Sequence, residues 1–172
     1  MSVAELARAA ALYRHEAVAA AARKWLAGPG ASFLGLKPSE ISSLRRVVTG
    51  AATVEKISEK IETHLKALAK RRKGASRWDK VVTGDMTLLD SLLAALKDSA
   101  EAACPGPSES DPGWRRVAAH LDRSLAGEQR QLVDSNRRAK ACLEFLDYLI
   151  RLHQAREHWK EGNNPCQLSQ VS

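Results

Sequence analysis

The chain has 172 residues, with 27 Lys and Arg against 20 Asp and Glu, a formal charge of +7. That length suits one domain with a buried core, and the cationic excess points to an anionic partner (nucleic acid, an acidic protein or an anionic membrane) without bearing on the fold. Apolar residues make up 44% and aromatics only 5%, the profile of packed helices, and no apolar run approaches the roughly 20 residues of a membrane span.

In chain order, a first helix is expected from about Ser2 to Ala27, with Leu6, Tyr13, Ala17, Ala21 and Trp25 near one face. Glu5, Arg8, Arg14, His15 and Glu16 interrupt it, so it reads neither as a secretory leader nor, with two acids, as a transit peptide. Gly28–Ser39 stops the helix and tucks Phe33 and Leu34 onto the core. Ser39, after Pro38, is the expected N-cap of a short helix carrying Ile41, Leu44 and Val48, and Thr49-Gly50 marks a break. The next helix is expected over about Thr53–Lys73, with a stripe of Val54, Ile57, Ile61, Leu65 and Leu68. Gly74 falls where a left-handed C-terminal cap belongs.

Asp85 is the expected cap of a further helix that turns Met86, Leu89, Leu92, Leu93, Leu96 and Ala100 inward. Cys104–Gly113 holds three prolines and two glycines and reads as a loop. Asp111-Pro112 then starts a helix with Trp114, Val117, Leu121 and Leu125, ending near Gly127. A last helix spans Glu128–Glu161, with Leu132, Ala139, Leu143, Leu146, Ile150 and His153 on one side and Asp134-Ser135-Asn136 as the place for a kink. No β-alternation stands out. The fold class is therefore all-α: a single bundle of five or six helices over residues 1–162, a Pro-rich loop near 104–113, and a disordered tail over 163–172.

The candidate chemistry is sparse. Cys104, Cys142 and Cys166 are widely spaced and form no CxxC pair, which argues against a disulfide framework and a zinc site and fits a reducing cytoplasm. No Glu-x-x-His occurs, so a four-helix di-iron site is not expected. His153 continues an apolar stripe and reads as a hydrogen-bonded core or rim residue. With no Gly-rich phosphate loop or nucleophile elbow, neither a cofactor nor an enzyme is expected. The one catalytic alternative is an HEPN-like ribonuclease using Arg115 and His120, whose separation is the minimum for the Arg-x4-6-His pattern.

Binding is the better expectation. Residues 66–80 hold seven cations (Lys66, Lys70, Arg71, Arg72, Lys73, Arg77, Lys80), one acid (Asp79) and Trp78. Cations displace counterions from phosphates and a neighbouring ring can stack on a base, so this cluster suits single-stranded RNA or DNA. The alternative is a solvated helix face whose last-turn cations complement the helix dipole. Arg45, Arg46, Arg137 and Arg138 supply a second patch. Four tryptophans (Trp25, Trp78, Trp114, Trp159) each lie within two residues of Lys or Arg. For three of them core packing is the simpler reading, and Trp78 is the stacking candidate.

Three segments resemble the small, all-helical backbone-binding subunits of type III CRISPR effector complexes. Leu36–Val48 (LKPSEISSLRRVV) resembles their Ser/Thr-x-x-Leu/Ile-Arg helix start. Glu62–Gly74 (ETHLKALAKRRKG) resembles their basic helix, and Cys142–Gln154 (CLEFLDYLIRLHQ) resembles their aromatic closing helix. Leu143 replaces the first aromatic, Arg151-Leu152 replaces the Ala-Tyr before His153, and no Gly-Gly closes the helix. The resemblance implies a non-catalytic, sequence-independent subunit that stacks with copies of itself in a ribonucleoprotein filament. Sequence would then be read by guide–target pairing. Separately, the Ala-rich first helix lacks the cationic and bulky apolar faces of interfacial helices, so no membrane role is expected. The alternative from the residues alone is a protein-interaction module whose cationic helix docks an acidic partner.

Overall fold

The computed structural model describes residues 3–73, 76–103 and 127–160. Helix α1 (Val3–Ala27) leads through a 3-10 turn (Phe33–Gly35) into two one-turn helices, α2 (Pro38–Ile41) and α3 (Leu44–Val47). Helix α4 (Val54–Arg71) follows, then a two-stranded antiparallel ribbon of β1 (Val81–Thr83) and β2 (Met86–Thr87), helix α5 (Leu88–Ala103) and helix α6 (Gly127–Lys160). The architecture is a mostly helical one, as the composition implied: α1 packs on α5 and α6, α5 packs on α6, and α4 lies against α5 and α6.

The local signals explain most of the boundaries. Thr53 caps α4, its Oγ1 accepting from the Lys56 amide at 3.1 Å. The expected stripe of α4 is the buried one: Ile57, Ile61 and Leu65 have no exposed surface, and Val54 and Leu68 are partly covered. Each such side chain contributes about 1.5–3 kcal/mol by leaving water. Helix α6 continues through Asp134-Ser135-Asn136, and its 34 residues reach about 50 Å.

Three expectations are corrected. Ser39 is not a cap: α2 begins at Pro38, which needs no amide partner in a first turn. The Lys37 amide there donates to the Glu40 carboxylate at 3.0 Å. Asp85 does not start α5 either. It sits with Gly84 (φ +53°) in the turn of the β1–β2 ribbon. The helix is instead opened by Thr87 and Asp90, which exchange amide-to-side-chain bonds at 3.1 and 3.2 Å. Met86, expected in the core, lies on β2 and is exposed. The helix with Trp114, Val117, Leu121 and Leu125, the Pro-rich loop, the tail, and the Arg115–His120 alternative all lie outside the described residues.

The core is centred on an aromatic cluster. The Trp25 ring lies 5.5 Å from Phe33 and 6.3 Å from Phe145, and Phe33 in turn meets Trp78 at 6.1 Å and His153 at 6.0 Å. The indole N–H of Trp25 donates to Ser91 Oγ at 3.2 Å. Gly30 permits this packing: a Cβ there would stand 2.2 Å from the Trp25 ring. His153 behaves as its stripe implied, buried, with Nε2 2.6 Å from the Leu36 carbonyl oxygen. Among the described residues no helix is long and apolar enough to cross a membrane, and no three His, Cys, Asp or Glu side chains gather as for a metal ion.

Candidate nucleic-acid interface

The cationic end of α4 and the segment beyond it are both tied to residues 35–40. Lys73 takes a positive φ of 46° past the helix, so the chain turns there one residue before Gly74. Gly74, the expected cap, lies outside the described residues, and Trp78 anchors the segment that resumes at Ser76. Trp78 has no exposed surface, its indole N–H donates to the Glu40 carbonyl at 3.0 Å, and its own carbonyl accepts from the Leu89 amide at 3.1 Å. The stacking role expected of Trp78 is thereby corrected. Its polar sequence neighbours suggested a surface ring, but an indole is most stable where its face is packed and its N–H is paired, and Phe33 and Glu40 supply both.

Glu40 is the second anchor. It is 2% exposed, and its two carboxylate oxygens accept from the amides of Lys37 (3.0 Å) and Arg77 (3.1 Å). A buried carboxylate is tolerable only when its oxygens are so engaged. The effect is to fasten residues 77–78 to the start of α2.

On this frame the cations separate by role. Lys70, Arg71 and Lys73 are exposed, and so is Arg46 on α3. Among the described residues, none of these four has a carboxylate at ion-pair distance. Arg72 is half-buried and donates to Ser39 Oγ at 2.9 Å, and the exposed Arg77 donates to the Gly35 carbonyl at 3.2 Å. Both tie the cationic end to the 35–39 segment, where Lys37 is also exposed. Lys66 pairs within the helix with Glu62, 2.5 Å away. The hydrogen bond and charge of Glu62 hold its ammonium above the ordinary lysine range. Lys66 therefore brings little uncompensated charge.

The second expected patch does not form as one surface. Arg45 turns to Asp147 on α6 at 2.6 Å, and Arg138 turns to Glu101 on α5 at 2.7 Å. Positions 138 and 147 lie roughly 13 Å and about half a turn apart along α6. Arg137 also has an interaction of its own. Arg46 instead joins the main cluster.

Sequence reasoning missed the residue around which that junction forms. His64 lies between the α3 and α4 cations, with Nε2 2.5 Å from Ser43 Oγ. Its imidazole is held below the ordinary value of 6.5, first by burial and then by the positive charges of Arg71 and Arg46. Half of this was visible in the chain, since seven residues bring Arg71 back to the face of His64 after two turns. The approach of Arg46 from another helix was not. No family model, curated protein or solved structure matches this chain.

Proposed function

We propose that this protein is a non-catalytic helical module that binds nucleic-acid backbones without reading bases, as a small subunit of a multi-subunit RNA-guided effector complex. The observation that supports the reading is the set of Arg46, Lys70, Arg71 and Lys73, exposed and, among the described residues, without a carboxylate partner, whereas Arg14, Arg45 and Arg138 are each matched by one. Exposed guanidinium and ammonium groups with no described carboxylate partner are suited to phosphate oxygens. They gain by releasing counterions and have no internal pair to break. The subunit assignment rests on the resemblance of Leu36–Val48, Glu62–Gly74 and Cys142–Gln154 to such subunits.

Binding of single-stranded RNA and DNA at a series of salt concentrations tests the proposal. Replacing Arg71, Arg72 and Lys73 together with Ala should lower affinity and flatten the log–log salt slope by about 2, at roughly 0.7 per lost phosphate contact, while the fold persists. An unchanged slope would reject the α4 end as the footprint. Purification from the native host tests the assembly. A large ribonucleoprotein with repeated copies and a discrete small RNA supports it, and a free monomer carrying a stoichiometric acidic protein favours the interaction-module reading.

A further inference from the structure

We infer that Arg46, His64 and Arg71, with Ser43, form a seat for one phosphate group, and that filling it loads a proton onto His64. The inference rests on the nucleic-acid reading for its ligand, a backbone phosphate; the seat rests on the Ser43–His64 contact that joins the two helices and on helical spacing, since Arg46 follows Ser43 by about one turn and Arg71 follows His64 by about two. Two separate elements bring the groups together: α3 and its preceding residue supply Arg46 and Ser43, and α4 supplies His64 and Arg71. Both arginines are exposed, and among the described residues neither is matched by a carboxylate.

The surroundings leave an incoming anion as the natural source of negative charge. From α3, Arg45 faces away to Asp147 of α6, so each neutralises the other. From α4, Lys60 reaches the Thr49 carbonyl at 3.4 Å. Asp90 of α5 acts on Lys66, about 160° around α4 from His64. Partial burial and then the two arginines disfavour the imidazolium. A phosphate between the arginines reverses the electrostatic part: it offsets their repulsion and attracts the imidazolium directly.

The hydrogen bond to Ser43 gives the proton a second effect. In the tautomer with hydrogen on Nδ1, the Ser43 hydroxyl donates to Nε2. A solvent proton arriving at Nε2 reverses that bond, so that Nε2–H donates to Ser43 Oγ and the hydroxyl hydrogen is released to donate to a phosphate oxygen. No covalent bond forms or breaks. The bound state holds more protons than the free one, so affinity must rise as pH falls, by at most tenfold per pH unit for one linked proton.

The first arm of the test is an NMR titration of the His64 ring in the full chain. Sulfate, a tetrahedral dianion with no ionisation near pH 6, is compared with sodium chloride at equal ionic strength. Salt alone screens the arginines, so the expected result is a larger rise of the His64 midpoint in sulfate. Equal midpoints in the two salts would overturn the seat whether or not RNA binds. The second arm is calorimetry with one 12-nucleotide sequence as RNA and as DNA, at pH 5.5, 6.5 and 7.5 in buffers of different ionisation enthalpy. Proton uptake on oligonucleotide binding that is lost in His64→Gln and reduced in Ser43→Ala supports backbone phosphate as the ligand. Tight binding with no proton uptake, or uptake unchanged in His64→Gln, would overturn the linkage. A sulfate response without oligonucleotide binding would support a free-anion seat and remove the backbone reading.

Discussion

The same residue type is used in opposite ways at two places in this molecule. Along the sides of α6, arginines are fastening devices: Arg14 of α1 reaches Glu144 at 2.8 Å, Arg45 reaches Asp147, and Arg138 reaches Glu101 of α5. At the end of α4, Lys70, Arg71 and Lys73 are exposed with no carboxylate partner among the described residues, and attachment of the segment that follows falls to Trp78 and Glu40. The lesson is that a run of Lys and Arg in a sequence does not reveal whether its charge is available. Availability depends on which carboxylates other elements bring near, and at α4 they bring few.

The largest effect should come from removing the anchor under the unpaired cations. Trp78→Ala deletes a fully buried side chain packed on Phe33 and leaves the Glu40 carbonyl without its indole donor. We expect a loss of about 3–5 kcal/mol, in the range of large aromatic truncations, measured by urea unfolding. A value under about 1 kcal/mol would mean that the 76–80 segment is not fastened in this way, and the contrast between the two regions would collapse.

Replacing Arg14 with Ala tests the fastened region. Its ion pair to Glu144 is partly buried, with side-chain exposures of 18% and 25%. His15 Nδ1 approaches the other Glu144 oxygen at 3.2 Å but without hydrogen-bond geometry, so it does not replace the lost partner. A cost of about 1–2 kcal/mol is expected, more than the 0–1 kcal/mol of an exposed pair. Oligonucleotide affinity should change far less than in the Arg71/Arg72/Lys73 variant. Equal losses of affinity in the two variants would show that binding follows net charge rather than the α4 end.

How much of this contrast was legible in the chain varies by element. The α4 stripe and the cationic run after it follow helical spacing, and Ile57, Ile61 and Leu65 are buried as that spacing requires. The ribbon had a signal that helical periodicity obscured: Gly84-Asp85 is a two-residue turn between Val81–Thr83 and Met86-Thr87. The depth of Trp78 was not legible, because its partners Phe33 and Glu40 are some 40 residues earlier and nothing local marks them. The division of Arg45 from Arg46 was hidden for the same reason. One faces α6 and the other α4, and only the position of the tertiary elements separates two adjacent arginines.

The smallest effect expected concerns the pH dependence of stability, and it isolates what unpaired charge does to the native state. Burial, then Arg71 and Arg46, depress the folded-state titration of His64 below the ordinary 6.5. Between the depressed and ordinary values the unfolded chain carries the proton and the folded chain does not. His64 therefore contributes stability that is present above about pH 6.5 and is lost as pH falls through that window. Replacing both Arg46 and Arg71 with Ala should shrink this slope without abolishing it, since burial is the larger cause and remains. His64→Gln should remove it. Denaturant midpoints compared at pH 5.5 and 7.5 read the difference. A double-arginine variant with the full wild-type slope would show that these cations do not act on the ring, and that the α4 junction is less crowded with positive charge than its residues imply.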